Sequence, residues 1–257
     1  MTPDPAGSTI KTEDFVLRLP DEAEAGASQD EEWCEVECDG TRRRLRFHDY
    51  TDIYSIPGLY ERLIYEELRC ESPRVIARLV SQELDRRGTD ASSLRVLDLG
   101  AGNGIVAEEL QEIGGDYFVG VDIIEAAAEA AERDRPGLYD DYVVADLLEE
   151  SRETREQLEG HRLNALTCVA ALGFGDIPPE VFCAALRRIE TPGLVAFTIK
   201  DEFLGERDPS GFADLVSRLE REGTLKTIAS ERYQHRLNWA GKPLHYVAML
   251  AEKRGEV

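Results

Sequence analysis

Long apolar runs are missing from this chain of 257 residues. No run approaches the roughly 20 apolar residues that a membrane-spanning helix needs. The first residues, MTPDPAGSTIKTEDF, contain neither the basic start nor the apolar stretch of a secretory signal. We therefore expect a cytoplasmic protein with no membrane partner.

Basic residues are scarce compared with acidic ones. The chain has 30 Lys and Arg against 52 Asp and Glu, a formal net charge of −22. Such a surface repels phosphate backbones, so no nucleic-acid partner is expected unless a basic patch is present. The best candidate patch is Arg42-Arg43-Arg44-Leu45-Arg46. We interpret it as the return strand of a hairpin whose charges balance nearby acids.

Cysteine is also scarce, and its spacing is irregular. The five residues are Cys34, Cys38, Cys70, Cys168 and Cys183. Cys34 and Cys38 are close enough to share a metal, but no second Cys or His pair completes such a site. We therefore predict thiols in a reducing compartment and no metal.

The composition divides the chain into three parts. Residues 1–31 are rich in Pro, Gly, Ser, Asp and Glu, which predicts a mobile acidic leader. Residues 32–92 are expected to form an N-terminal hairpin and a helical cover, with helices over 57–69 and from a capping Ser72 to about residue 87. Residues 93–257 form the main domain.

The main domain alternates short apolar runs with helical segments. Nearly continuous apolarity favours strands of a parallel sheet covered by helices on both faces. The predicted strands are 94–99, 117–121, 142–145, 165–171 and 194–199, followed by 226–237 and 244–252 in an antiparallel hairpin. The predicted fold class is α/β, with three layers around a seven-stranded, mostly parallel sheet. A C-terminal antiparallel hairpin and the N-terminal hairpin with its helical cover complete it.

A glycine turn follows the first of these runs, in Asp98-Leu99-Gly100-Ala101-Gly102-Asn103-Gly104. Three glycines at alternate positions let the backbone approach a ligand closely. The fingerprint of dinucleotide-binding proteins would need Gly or Ala at the position of Ile105. The turn therefore predicts a cofactor loop that is not a phosphate loop.

Acidic residues follow the ends of four predicted strands: Asp98, Asp122, Asp146 and Asp176. In an open α/β sheet the ligand binds at this edge. A single acid here can equally be a helix cap. Together they would repel a diphosphate, since two like charges about 4 Å apart cost about 4 kcal/mol at an effective dielectric of ~20. The pattern favours a cationic ligand with hydroxyls and amines, and S-adenosylmethionine has that chemistry.

These residues resemble the first motif and strand-end acids of class I S-adenosylmethionine-dependent methyltransferases. The resemblance covers about residues 57–252. It implies that Asp98 organises the turn and engages the cofactor's amino group, that Asp122 accepts the ribose hydroxyls and that Asp146 accepts the adenine amine. The other cofactor contacts that it implies are Gly100, Ala101, Gly102, Asn103, Gly104, Ile123, Leu147, Ala170 and Leu172.

The acceptor side of the predicted site has three candidate catalytic residues. His48 is the first candidate base and His235 the second, although either can be structural. Tyr54 belongs to a tyrosine-rich segment whose rings can enclose a sulfonium or pack a helix on the sheet. We predict an enzyme that methylates a small molecule by in-line displacement. A non-catalytic cofactor-binding regulatory module and a protein methyltransferase are the alternatives.

Overall fold

The computed structural model describes residues 15–20, 29–172, 176–204, 208 and 210–257. The predicted leader, residues 1–31, lies mostly outside this part of the chain. The strands in the described part are β1 Phe15–Arg18, β2 Trp33–Cys38, β3 Thr41–Arg46, β4 Val96–Leu99, β5 Phe118–Asp122, β6 Asp141–Val144, β7 Ala165–Leu172, β8 Gly193–Lys200, β9 Leu225–Leu237 and β10 Pro243–Lys253.

The helices lie mainly between these strands. Those in the described part are α1 Tyr50–Ser55, α2 Leu59–Glu61, α3 Ser72–Arg87, α4 Ile105–Glu112, α5 Glu125–Asp134, α6 Arg152–Glu159, α7 Pro179–Arg187 and α8 Phe212–Arg221. Helix α2 continues as a π-helical segment, Arg62–Glu67. None of the described helices is both long enough and apolar enough to cross a membrane.

The main sheet has seven strands in the order β6-β5-β4-β7-β8-β10-β9. Strands β4 to β8 run parallel, and β10 pairs antiparallel with both β8 and β9. The predicted fold class is confirmed. In this register Asp98 of β4 lies between Gly120 of β5 and Thr167 of β7, which places its carboxyl group inside the sheet.

Helices bury an apolar core on each face of the sheet. On one face, the ring of Phe182 in α7 packs against Phe197 of β8 and Phe212 of α8, with centroids 5.4 and 6.0 Å apart. On the other face, Ile76 of α3 and Leu110 of α4 are buried in a second apolar cluster. These layers leave the carboxyl edge of the parallel strands accessible to a ligand.

A smaller antiparallel sheet, β1-β2-β3, forms the N-terminal part of the cover. The arginines of β3 balance acids as expected, because Arg42 pairs with Glu35 and Glu37 and Arg46 pairs with Asp49. This sheet is attached to the main sheet through a buried ion pair. Arg236 of β9 donates to Glu32 at 2.5 Å, and both side chains are almost fully enclosed.

The helical cover differs from the sequence prediction in three places. Helix α1 was not predicted, and the helix expected over 57–69 is divided between α2 and the π-helical segment. Ser72 is inside α3 and Glu71 precedes it as the N-cap. The Ser72 hydroxyl does not cap, because it lies 2.6 Å from both Tyr233 Oη and His235 Nδ1.

Candidate functional site

A pocket opens at the carboxyl ends of β4, β5, β6 and β7. The strand ends contribute mostly apolar groups together with Asp122, and the loops after them contribute Asp146 and Asp176. The opposite wall comes from the cover, through Tyr50 and Tyr54 of α1 and Tyr60 of α2. The pocket is therefore lined by carboxylates and aromatic rings.

The glycine turn lies beside this pocket, which Gly100 lines, and its backbone needs its glycines. Gly100, Gly102 and Gly104 have φ values of +70°, +55° and +93°, which L-residues with side chains rarely adopt. A Cβ on Gly100 would lie 2.9 Å from Ile177 Cδ1, and one on Gly102 would lie 2.5 Å from Tyr54 Oη. Helix α1 therefore packs directly on the turn.

Asp122 ties the end of β5 to the glycine turn. Its Oδ2 accepts the Gly102 amide and its Oδ1 accepts the Ile124 amide, both at 3.0 Å. Burial raises the pKa of this carboxyl group. Each carboxylate oxygen can accept a second hydrogen bond, so Asp122 can still bind two hydroxyl donors from the pocket that it lines.

Asp98 is turned away from the pocket. Its Oδ1 accepts from Thr167 Oγ1 at 2.7 Å and its Oδ2 accepts from Tyr139 Oη at 2.9 Å. Burial raises the pKa of Asp98 to about 6. Neither partner belongs to the glycine turn, and a direct contact of Asp98 with a ligand amino group would need these partners to move.

The predicted adenine-binding residues line the pocket beyond β5 and β6. Asp146 Oδ1 accepts the Leu148 amide at 2.8 Å, and Leu147 is buried with the main core. Ile123 is 64% exposed and stands at the rim. Ile123, Asp146 and Leu147 all line the pocket, and their binding of adenine stays a prediction.

Several other predicted cofactor residues do not line the pocket. They are Ala101, Gly102, Asn103, Gly104 and Leu172. The Asn103 amide is directed the other way, where it donates to Glu61 Oε1 and Asp134 Oδ2 at 3.1 and 3.4 Å. Four of these residues belong to the glycine turn and Leu172 ends β7, and all five lie outside the pocket lining. Gly100 and Ala170, by contrast, line the pocket.

The tyrosines form a continuous aromatic wall. Ring centroids are 6.1 Å apart for Tyr50 and Tyr54, 4.8 Å for Tyr54 and Tyr60, and 6.0 Å for Tyr60 and Tyr65. Burial raises the pKa of Tyr54 well above its usual value and that of Tyr60 to about 12. All of these hydroxyls are therefore protonated at neutral pH and present neutral rings.

The two candidate histidines have different surroundings. His48 Nδ1 lies 3.4 Å from Asp176 Oδ2, so this imidazole is adjacent to a pocket carboxylate. His235 is enclosed between the cover and β10, where it lies 4.0 Å from the Tyr246 ring and 2.6 Å from Ser72 Oγ. Burial lowers the pKa of His235 far below its usual value. The structure does not bring His235 to the pocket.

Part of the lining could not be recognised in the sequence. Val181 lines the pocket but belongs to a segment that carries no motif. Ala170 has a φ of +59°, and its amide donates to Thr198 Oγ1 at 2.7 Å. This irregularity shifts the β7–β8 register between Cys168 and Leu172 and turns the chain toward the pocket.

The side chains that line the pocket fit S-adenosylmethionine. Among the described lining residues there are three carboxylates, and neither Lys nor Arg is present. Carboxylates accept from hydroxyl and amine donors and attract positive charge, whereas a diphosphate would meet no cation here. Asp122 and Asp146 would hold the ribose and adenine groups, and the tyrosine rings would face the sulfonium.

Residues 67–241 match the protein family described as a methyltransferase domain. This match covers more than half of the chain and includes the glycine turn. Among curated proteins the chain is similar to a ubiquinone biosynthesis O-methyltransferase from Neisseria meningitidis, with 29% identity over 111 residues. That match covers 42% of this chain and 45% of the relative, so the chain spans less than half of the relative's length.

Two solved structures share the fold. An S-adenosylmethionine-dependent methyltransferase from Clostridium acetobutylicum has a TM-score of 0.51 at 13% identity, covering 77% of this chain and 97% of that chain. A magnesium protoporphyrin IX methyltransferase from Synechocystis, solved with bound SAH, has a TM-score of 0.50 at 14% identity and covers 74% and 87%. At these identities the similarity establishes the fold alone.

Proposed function

The chain belongs to the methyltransferase-domain family of class I, S-adenosylmethionine-dependent enzymes, and from this premise we propose that it methylates a small-molecule acceptor. The observation that carries the proposal is Asp122, a half-buried carboxylate at the end of β5 that accepts the Gly102 amide of the glycine turn and lines the pocket. A ribose diol matches the two oxygens that this carboxylate presents.

Different residues of the chain would bind different parts of the cofactor. Asp122 and Asp146 would accept hydrogen bonds from the ribose and the adenine amine, and Gly100 would let the cofactor lie against the backbone. When bound, S-adenosylmethionine supplies a methyl group on a positively charged sulfur that keeps the electron pair of the broken bond. Alignment and exclusion of water account for much of the acceleration in such displacements.

The aromatic wall and His48 would serve the acceptor. Tyr50, Tyr54 and Tyr60 cover the pocket opposite the strand ends and would exclude water from the reacting atoms. His48 touches Asp176 and would accept a proton when the acceptor must lose one. The role of Tyr54 in this proposal is to cover the site, since its hydroxyl faces the glycine turn.

A small acceptor is supported by the enclosed position of the pocket between α1 and the sheet. The net charge of −22 disfavours polyanionic acceptors. The name of the Neisseria relative refers to ubiquinone biosynthesis, which supports a small-molecule acceptor for this chain as well.

Two measurements test the proposal. Calorimetry with S-adenosylmethionine should give saturable 1:1 binding, and Asp122→Asn should weaken it at least tenfold because a neutral amide loses charge-assisted bonds worth about 1.5–3 kcal/mol each. Asp214→Asn, at an exposed position of helix α8 that does not line this pocket, is the matched control.

The labelled cofactor is then incubated with a metabolite extract and with a protein fraction. Label in small molecules supports the proposal. Label in protein alone would identify a protein methyltransferase, and binding with no transfer to either fraction would identify a regulatory module. An absence of cofactor binding would refute the proposal itself.

A further inference from the structure

We propose that the acceptor is an apolar or aromatic amine, held in the pocket as its ammonium form between Asp176 and the tyrosine wall, and that carboxylate acceptors are rejected. This inference rests on the proposed function, because it takes the remaining part of the same pocket as the acceptor site. It assigns a substrate class from the charges and rings that are left over when the cofactor is seated.

The charged side chains among the described lining residues of the pocket are all acidic. They are Asp122, Asp146 and Asp176, without any lysine or arginine among them. An anionic acceptor would therefore lose its water without gaining a partner of opposite charge, which is costly in a partly enclosed site. A cationic acceptor would be attracted by the same three groups.

Asp176 is the carboxylate that is available to the acceptor. Asp122 and Asp146 face the cofactor end of the pocket, where their oxygens also accept backbone amides. Asp176 precedes Ile177 and Pro178, and its charge raises the pKa of both Tyr50 and Asp122. Asp176 lines the pocket together with the tyrosines of the cover, and its side chain is about one-third exposed. Its Oδ2 lies 3.4 Å from His48 Nδ1, and a carboxylate can accept several hydrogen bonds, including one from an ammonium N–H.

The remaining walls suit a molecule with an apolar body. Tyr50, Tyr54 and Tyr60 line the pocket with neutral aromatic side chains, and aromatic rings are groups that proteins use to bind ammonium ions. Beside Asp176 the wall continues through Ile177, Pro178 and Val181. An amine on an aromatic or aliphatic body would therefore place its charge at Asp176 and its apolar part along this wall.

Proton balance is satisfied by residues already in place. The bound ammonium releases one proton, which Asp176 passes to the adjacent His48 imidazole, and this frees the nitrogen lone pair. That lone pair forms the new nitrogen–carbon bond, while the electrons of the broken carbon–sulfur bond stay on sulfur. The methylated amine leaves with one positive charge, and His48 returns its proton to water.

Matched pairs of probes test this inference by binding, independently of turnover. The protein is saturated with S-adenosylhomocysteine and titrated with tyramine against 4-hydroxyphenylacetate, and with phenethylamine against phenylacetate. Each pair differs in the charged group while the ring is kept. We expect each amine to bind at least tenfold more tightly than its acid. Equal affinities, a preference for the acids or no binding by either amine would overturn the inference.

Variants test whether Asp176 is the residue that makes the pocket prefer amines to acids. Asp176→Asn should weaken tyramine binding at least fivefold while changing S-adenosylhomocysteine affinity less than twofold, and Asp214→Asn should change neither. An unaltered preference in Asp176→Asn would refute the assigned position. If S-adenosylhomocysteine itself does not bind the unmodified protein, the proposed function fails. If it binds and the amines are not preferred, only the acceptor class is wrong.

Discussion

Thr167 and Asp98 lie on adjacent parallel strands, and the Thr167 hydroxyl donates to the Asp98 carboxylate at 2.7 Å inside the sheet. Together with Tyr139 it provides the hydrogen bonds to a carboxyl group that is 1% exposed. Burial outweighs these bonds, because the pKa of Asp98 is raised from 3.8 to about 6. The strand that leads into the glycine turn therefore carries, in Asp98, a buried carboxyl group whose ionisation is unfavourable.

Ionisation of Asp98 predicts a pH-dependent stability. The native state holds this proton more tightly than the unfolded state, so its contribution is present below pH 4 and is lost as pH rises through 6. The loss is about 3 kcal/mol, from 1.36 kcal/mol per unit of pKa. Urea unfolding between pH 4 and 7 should show the free energy of unfolding of the natural protein falling relative to Asp98→Asn. Parallel pH profiles of the two proteins would contradict the assignment.

Gly102→Ala should destabilise the protein by about 1–3 kcal/mol, because a residue with a Cβ is strained at φ +55° and the new methyl group meets Tyr54 Oη. Tyr54→Phe removes that oxygen but not the backbone strain. The double variant should therefore recover part of the loss measured by urea unfolding. If the double variant is no more stable than Gly102→Ala, the predicted clash has no energetic effect.

The buried ion pair between Arg236 and Glu32 should be sensitive to the loss of one partner. Glu32 also accepts the Trp239 amide at 2.9 Å, so it remains buried when the guanidinium is removed. Arg236→Met should lower the free energy of unfolding by about 3–5 kcal/mol. The exposed Arg74, which pairs with Glu109, gives the matched control, and Arg74→Met should cost about 1 kcal/mol or less. Similar losses for both variants would contradict this difference.

Salt should stabilise this protein. A net charge of −22 makes the folded surface repel itself, and 1 M salt shortens the screening length to about 3 Å. The thermal midpoint should therefore rise between 0.05 and ~1 M KCl, although the exposed ion pairs weaken under the same conditions. A falling midpoint would show that those pairs, rather than the net repulsion, dominate.

The sequence predicted those features that depend on local pattern. Continuous apolar runs located the strands of the main sheet, and the acids after them marked Asp122 and Asp146 at the pocket. The orientation of a side chain within the sheet depends on the register between strands, so Asp98 was expected in the pocket although it faces Thr167. His235 was predicted at the pocket for a similar reason. Its enclosure depends on the packing of α3 on β9, which brings Ser72 against the imidazole and which local sequence does not reveal.

Strand β10 lies between β8 and β9 although it follows both along the chain. Of the strands in the described part, β9 pairs with β10 alone. The thirteen residues of β9 therefore depend on β10 for the hydrogen bonds that they make within the sheet. Lys253 Nζ, at the end of β10, donates to the Ile189 carbonyl at 2.6 Å and ties this strand to the segment before β8. Loss of β10 would leave β9 with no strand to pair with and would expose β8 as an unpaired edge to which another chain could add a strand.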